Sequence, residues 1–171
     1  MVLSGLLHWL GVPVLTAHAE SRSLLIGNQA YQAYNDGVAA LKNPHNDIAL
    51  VGTALEKVGF KVTRIRDAGY RAIITALMRH IQQVRHAGQD TTSFVYYSGH
   101  GADDPDTQIN YVVPVDVSSA DDAEVEVWTN SIDLRGMVDR LREQSPECRT
   151  LRHLRRLPRG TAADAAAQEG L

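Results

Sequence analysis

The chain has 171 residues, a formal net charge of -3 and an apolar fraction of 44%. This describes one domain with short appendages, enough apolar side chains for a core, and no overall positive field to draw nucleic acid. A single cysteine, Cys148, excludes an intrachain disulfide and a Cys-rich metal site.

The first element is an apolar run, Leu6 to Leu15, followed by Ala17-His18-Ala19. Its length suits the h-region of an export signal, and the small-x-small triplet suits cleavage before Glu20. Residues 1–19 thus read as a signal peptide, which would place the mature protein in the periplasm or outside the cell. The segment Met1 to Gly5 carries no Lys or Arg. The competing reading is a short apolar N-terminal helix on a cytoplasmic protein. The run is too short for a membrane span.

From Arg22 the pattern becomes that of an α/β domain. Ser23 to Ile26 reads as a short strand closed by Gly27-Asn28, and Gln29 to Leu41 as a loop. Asn43-Pro44-His45-Asn46-Asp47 opens a helix with Ile48, Val51, Leu55 and Val58 at helical spacing, and Asn46 or Asp47 as cap. Gly59 stops it, and Phe60 to Ile65 alternates as a second strand. Ile73, Leu77, Ile81 and Val84 stripe a second helix ending at Gly88. Thr91 to Tyr97 is β-branched and aromatic throughout, which predicts a central strand buried on both faces. Ile109 to Val115 reads as a short strand, Asp121 to Glu126 as a solvated acidic loop, and Ile132 to Leu141 as a third helix. Strand and helix in alternation predict a parallel sheet with helices on its faces, and ligands outside the carboxyl ends of the strands.

After the third helix such a fold needs another buried strand. Residues 145–171 offer instead Ser145-Pro146-Glu147-Cys148-Arg149, then leucines among arginines, then an Ala-rich end. The expectation is a basic helical tail and a sheet that stops early, with an exposed edge.

The segment Phe94-Val95-Tyr96-Tyr97-Ser98-Gly99-His100-Gly101 carries the chemistry. A strand end presents one histidine between small residues. Such an imidazole can act as general base to a cysteine thiolate and later protonate a leaving amine. The following glycine lets backbone N–H groups approach a developing oxyanion. The bland alternative is a structural strand-end histidine.

At these residues the sequence resembles the caspase-like cysteine proteases, in their bacterial and metacaspase-type branch. The resemblance runs from about Arg22 to Leu141. It is carried by Leu25-Ile26-Gly27-Asn28-Gln29-Ala30-Tyr31, Leu41-Lys42-Asn43-Pro44-His45-Asn46-Asp47, Gly59-Phe60, Tyr96-Tyr97-Ser98-Gly99-His100-Gly101, Asn110-Tyr111 and Pro114-Val115-Asp116. It implies a three-layer α/β caspase-like domain over 22–144, incomplete at its C-terminus, with an aberrant tail over 145–171. It implies that His100 is the catalytic histidine and Gly101 the oxyanion-side glycine. Asp47 and Ser98 match positions lining the primary specificity pocket, where they would suit an Arg or Lys side chain of a polypeptide substrate. Two roles stay open for each: Asp47 could be only a helix cap, and Ser98 could bond only the local backbone. No cofactor and no metal are implied.

The departure is at the nucleophile. The family places its cysteine after an apolar strand, as Asp-Ala-Cys-Arg or a close variant, roughly 50 residues beyond the histidine. Cys148 has about that spacing but follows a helix tail and a turn, which is a poor mount for a group that must be held to sub-ångström precision. The coding sequence offers a sharper reading. Residues 149–159 can be spelled so that reading one base later yields Ala-Pro-Phe-Val-Ile-Phe-Asp-Ala-Cys-Arg-Gly, with the cysteine at the position of Leu157. We therefore expect a frameshift between about Ser145 and Arg149 and an inactive chain as written. Two other readings are a non-catalytic caspase-like scaffold that binds protein partners, and a basic nucleic-acid-binding helix over Arg149 to Arg159.

Overall fold

The computed structural model describes residues 20–31, 40–88, 90–103, 107, 109–117, 130–144 and 149–157. The expected signal peptide over 1–19, the expected acidic loop over 121–126, Cys148 and the residues from 158 lie outside the described residues.

The elements follow in the order β1 (Arg22–Gly27), α1 (Pro44–Lys57), β2 (Lys61–Arg66), α2 (Tyr70–Ala87), β3 (Thr92–Asp103), β4 (Asn110–Val112), β5 (Ile132–Asp133), α3 (Leu134–Gln144) and β6 (Arg149–Leu157). The strands form one six-stranded sheet in the order β2-β1-β3-β4-β5, and β6 also pairs with β3. β1, β2, β3 and β6 run parallel, and β4 and β5 return antiparallel.

Strand periodicity sorts the core into two layers. Leu24 and Ile26 of β1 and Val95 and Tyr97 of β3 meet Ile73, Leu77 and Ile81 of α2 and Leu141 of α3 on one face. Leu25 and Tyr96 meet Ile48 of α1 on the other. Each central strand therefore carries an uninterrupted apolar run, Leu24-Leu25-Ile26 in β1 and Phe94-Val95-Tyr96-Tyr97 in β3, because both faces are covered there. Each such side chain stabilises the fold by about 1.5–3 kcal/mol when fully buried.

Four expectations need correction. The first turn of α1 contains Pro44, whose fixed φ suits that position, and its N-cap is Asn43, not Asn46 or Asp47. Val58 lies past the end of α1 and is 71% exposed, so the apolar stripe stops at Leu55. The third helix begins at Leu134, because Ile132–Asp133 pair with β4. Asp133 then caps the helix, its Oδ1 accepting the Arg135 N–H at 2.8 Å.

The fourth correction is the largest. Residues 149–157 are not a helix. They form β6, parallel to β3 over nine in-register pairs from Thr92↔Arg149 to His100↔Leu157. The reason lies in β3 rather than in β6. A buried strand with an open edge leaves a row of N–H and C=O groups unsatisfied, and any following extended segment can pair with them. A basic nucleic-acid-binding helix over this run is accordingly ruled out by its strand conformation.

Candidate active site

His100 marks a junction. Through His100, β3 pairs with β6; from Gly101 to Asp103 it pairs antiparallel with β4. β1 has already ended, its last residue Gly27 lying opposite Ser98. His100 thus stands just beyond the carboxyl end of β1, where an α/β sheet opens its ligand crevice. Its residue is 8% exposed.

On the side where β1 has ended, the backbone of His100 finds two side chains and the Val113 N–H in place of a strand. Its N–H donates to the Tyr31 Oη at 2.9 Å. Its carbonyl accepts the Tyr97 hydroxyl at 2.9 Å and the Val113 N–H at 3.1 Å. The Tyr31 and Tyr97 hydroxyls are 2.9 Å apart, and both reach the Val113 carbonyl, at 3.1 and 2.8 Å. Burial pushes the Tyr31 phenol up to about 12, and burial with the neighbouring Tyr31 pushes Tyr97 well above the ordinary range. Both phenols are therefore neutral donors at physiological pH. They pack over Gly99, where any Cβ would collide with the two hydroxyls. That is the physical reason for a glycine before this histidine.

Gly101 lies opposite Val112. Because the Val113 N–H bonds the carbonyl of residue 100, antiparallel alternation turns the N–H of residue 101 away from β4. The same alternation turns it toward β6, which pairs with β3 through His100.

Asp47 and Ser98, which are 51 residues apart in sequence, are brought together: the Ser98 Oγ donates to the Asp47 Oδ2 at 2.7 Å. α1 comes this close to β1 because Gly27 has no Cβ; one built there would lie 2.7 Å from the Pro44 carbonyl oxygen. The bland roles fall away together. Asp47 lies inside the helix rather than at its cap, and the Ser98 hydroxyl turns to a carboxylate. Ser98 and His100, two apart on one strand, share a face.

The loops at the carboxyl ends of the strands are tied together by residues outside the candidate set. The fully buried Asn28 amide donates to the Ala68 carbonyl at 3.0 Å and accepts the Ala68 N–H at 2.8 Å, joining the ends of β1 and β2. Asp67 has φ +48, a left-handed conformation that aspartate tolerates better than most residues. Its Oδ1 accepts the Gln29 and Ala30 N–H groups, each at 2.9 Å, and His45 Nε2 lies 3.0 Å from its Oδ2. Partial burial alone would raise the Asp67 carboxyl. The Ala30 and Gln29 N–H groups and His45 outweigh it and hold the carboxyl below its usual range. Asp116 Oδ1 accepts the Tyr70 N–H at 2.8 Å and so caps α2. The only trace of these roles in sequence is position: each residue sits in a loop following the carboxyl end of a strand.

Among the described residues, no three His, Cys, Asp or Glu side chains group as metal ligands, and no helix is long and apolar enough to cross a membrane.

A search of solved structures finds the fold in protein GSU0716 from Geobacter sulfurreducens, known from its crystal structure, at 18% identity and a TM-score of 0.60. The match covers 89% of this chain and 56% of that one, so the chain spans little more than half the length of that structure. No curated protein matches in sequence. A caspase-domain family profile matches residues 20–148, the stretch that contains β1 to α3 and both partners of the Asp47–Ser98 contact. With a largely parallel sheet between two helical layers and that match over most of its length, this chain belongs to the caspase-domain family.

Proposed function

We propose that this chain is a caspase-like cysteine-type endopeptidase domain that has lost its nucleophile through a shift of reading frame near residues 145–149. In the intact site His100 takes the thiol proton, and the thiolate attacks the scissile carbonyl. The Gly101 N–H supports the oxyanion, and the imidazolium returns its proton to the leaving amine. Asp47, oriented by Ser98, receives the Arg or Lys side chain that precedes the cut. A carboxylate partner for a guanidinium or ammonium is the charge-assisted choice, whereas an acidic side chain would be repelled.

The observation that carries this reading is the register of β6. Position 157 lies directly across from His100, and 157 is where one permitted codon spelling, read one base later, gives cysteine. Register and codons are independent, and they meet at one residue. Cys148, outside the described residues, has no such support. With leucine at 157 a base without a thiolate cannot carry covalent catalysis, so the chain as written turns over no peptide.

The test has two parts. The nucleotide sequence across codons 145–160 either contains the shifted frame or does not. The chain carrying the shifted-frame segment should hydrolyse reporter peptides ending in Arg or Lys before the cut, and not those ending in Asp. An Asp preference would remove the role given to Asp47. Activity of the unaltered chain that disappears on Cys148→Ala would overturn the frameshift. A second reading, a non-catalytic peptide-binding scaffold, is favoured by the intact Asp47–Ser98 contact in a chain lacking the nucleophile. Saturable binding of an Arg-containing peptide by the unaltered chain, lost on Asp47→Asn, would establish it. Export remains part of the proposal: expression in a bacterial host should release a mature chain beginning at Glu20.

A further inference from the structure

We propose that Tyr31 is the positioning residue for the His100 imidazole. The inference rests on the catalytic reading of His100 and deepens it. Two contacts converge on the same residue from one side chain. The Tyr31 hydroxyl holds the His100 backbone by accepting its N–H at 2.9 Å. The Tyr31 ring stands edge-to-face against the imidazole, with centroids 4.7 Å apart and an interplanar angle of 72°. The first contact places the Cα, and the second restricts rotation of the side chain. Tyr31 is itself held, 5% exposed, by the Tyr97 hydroxyl and the Val113 carbonyl. The geometry answers a need created by the fold. At His100 the strand passes from its last parallel pair, with Leu157, to the antiparallel pairs with β4, and on the side where β1 has ended the Tyr31 and Tyr97 hydroxyls and the Val113 N–H take the place of a neighbouring strand. A catalytic imidazole on an unsupported junction would sample orientations in which it cannot reach a thiol. The phenol inserted at the junction supplies the missing constraint.

The test uses the full chain in two backgrounds. In the native chain labelled with 15N-histidine, the His100 ring protons should show an aromatic ring-current displacement and contacts to the Tyr31 ring by NMR. Tyr31→Leu should abolish both, and Tyr31→Phe should keep the displacement while removing the hydroxyl. In the Leu157→Cys chain that also carries Cys148→Ser, alkylation by iodoacetamide should follow a thiol titrating well below the ordinary value of about 8.5. Adding Tyr31→Phe should move that profile back toward about 8.5 and slow alkylation at pH 6.5 roughly tenfold. Circular dichroism reports on folding separately. A low thiol profile unchanged by Tyr31→Phe, with His100 signals also unchanged, overturns the positioning role. An ordinary thiol in the Leu157→Cys, Cys148→Ser chain overturns the placement of the nucleophile instead, and the His100 spectra of the native chain then decide the role of Tyr31.

Discussion

β3 has two parallel neighbours that could hardly differ more. β1 reads Arg-Ser-Leu-Leu-Ile-Gly, and its three apolar residues are all within 2% of full burial. β6 reads Arg-Thr-Leu-Arg-His-Leu-Arg-Arg-Leu, with four arginines in nine residues. Both lie in register along β3, six pairs on one side and nine on the other. Backbone pairing is therefore indifferent to side chains in a way that core packing is not. Every non-proline residue carries the same donor and acceptor, and an open edge accepts whatever extended segment follows. Side chains decide how much stability the pairing brings. β1 brings buried apolar area to both layers; β6 supplies ladder hydrogen bonds and a position opposite His100.

The sharpest way to break this comparison is to give β6 an apolar sequence. Replacing 149–157 with the shifted-frame Ala-Pro-Phe-Val-Ile-Phe-Asp-Ala-Cys should raise stability by a few kcal/mol, because Val and Ile would replace Arg152 and His153 and each add about 1.5–3 kcal/mol on burial. Thermal and urea unfolding of the two chains measure the difference. Equal midpoints would show that position 149–157 is not a core strand.

Truncation on the other side comes next. Leu25→Ala, in the layer between β1 and α1, should cost about 2–5 kcal/mol, a large part of the roughly 5–15 kcal/mol that holds a small domain together. Leu151→Ala in β6 should cost clearly less. A β6 substitution as costly as Leu25→Ala would mean that the arginine-bearing strand is packed as tightly as β1.

Acid should act through α2 and β3. His80 is buried, its Nε2 2.9 Å from the Ser93 Oγ at the start of β3. Burial, with a contribution from Arg22, lowers its value from 6.5 to about 4. The unfolded chain therefore binds more protons than the folded one between pH 6.5 and about 4. Stability should fall as pH is lowered through that window, by up to about 3 kcal/mol at about 1.36 kcal/mol per unit, and level off below it. Asp67, depressed in the folded state, adds a further loss only below the usual carboxylate range. Unfolding midpoints from pH 7 to pH 4 should show the decline in the native chain and a flatter profile in His80→Gln. Identical profiles would remove His80 as its source.

The smallest expected effect concerns the crevice itself. Asn28→Ala removes its side-chain bonds to Ala68 and Val113 and strands the Ala68 N–H in a buried setting, while the Ala68 carbonyl keeps the Val115 N–H, at a cost of about 1–3 kcal/mol. Exchange of the Ala68 amide should quicken in the same variant. Unchanged protection there would show that the ends of β1 and β2 are joined by other means.

Much of this molecule is legible in its residues. The unbroken apolar runs of β1 and β3, the stripe of Ile73, Leu77, Ile81 and Val84, and the motif ending in His100 each determine their own element, because burial on one or both faces imposes a period that sequence records. Asp47 and Ser98 could be named as a pair only through family resemblance; their 2.7 Å contact exists because Gly27 lets one helix approach one strand. The third helix starts later than its apolar pattern suggests, since Ile132 and Asp133 are drawn into pairing with β4. Tyr31 falls in a segment that reads as a loop and Tyr97 in a buried strand, and only the parting of the sheet at His100 turns their hydroxyls into backbone partners. β6 was beyond the reach of local reading altogether. Its residues carry no strand period, and its conformation is set by the unsatisfied edge of β3, a property of a different segment that exists only once the sheet has formed. Sequence determines which segments must hide from water; tertiary structure decides which backbone groups still need a partner afterwards, and here that need also sets what stands opposite the histidine.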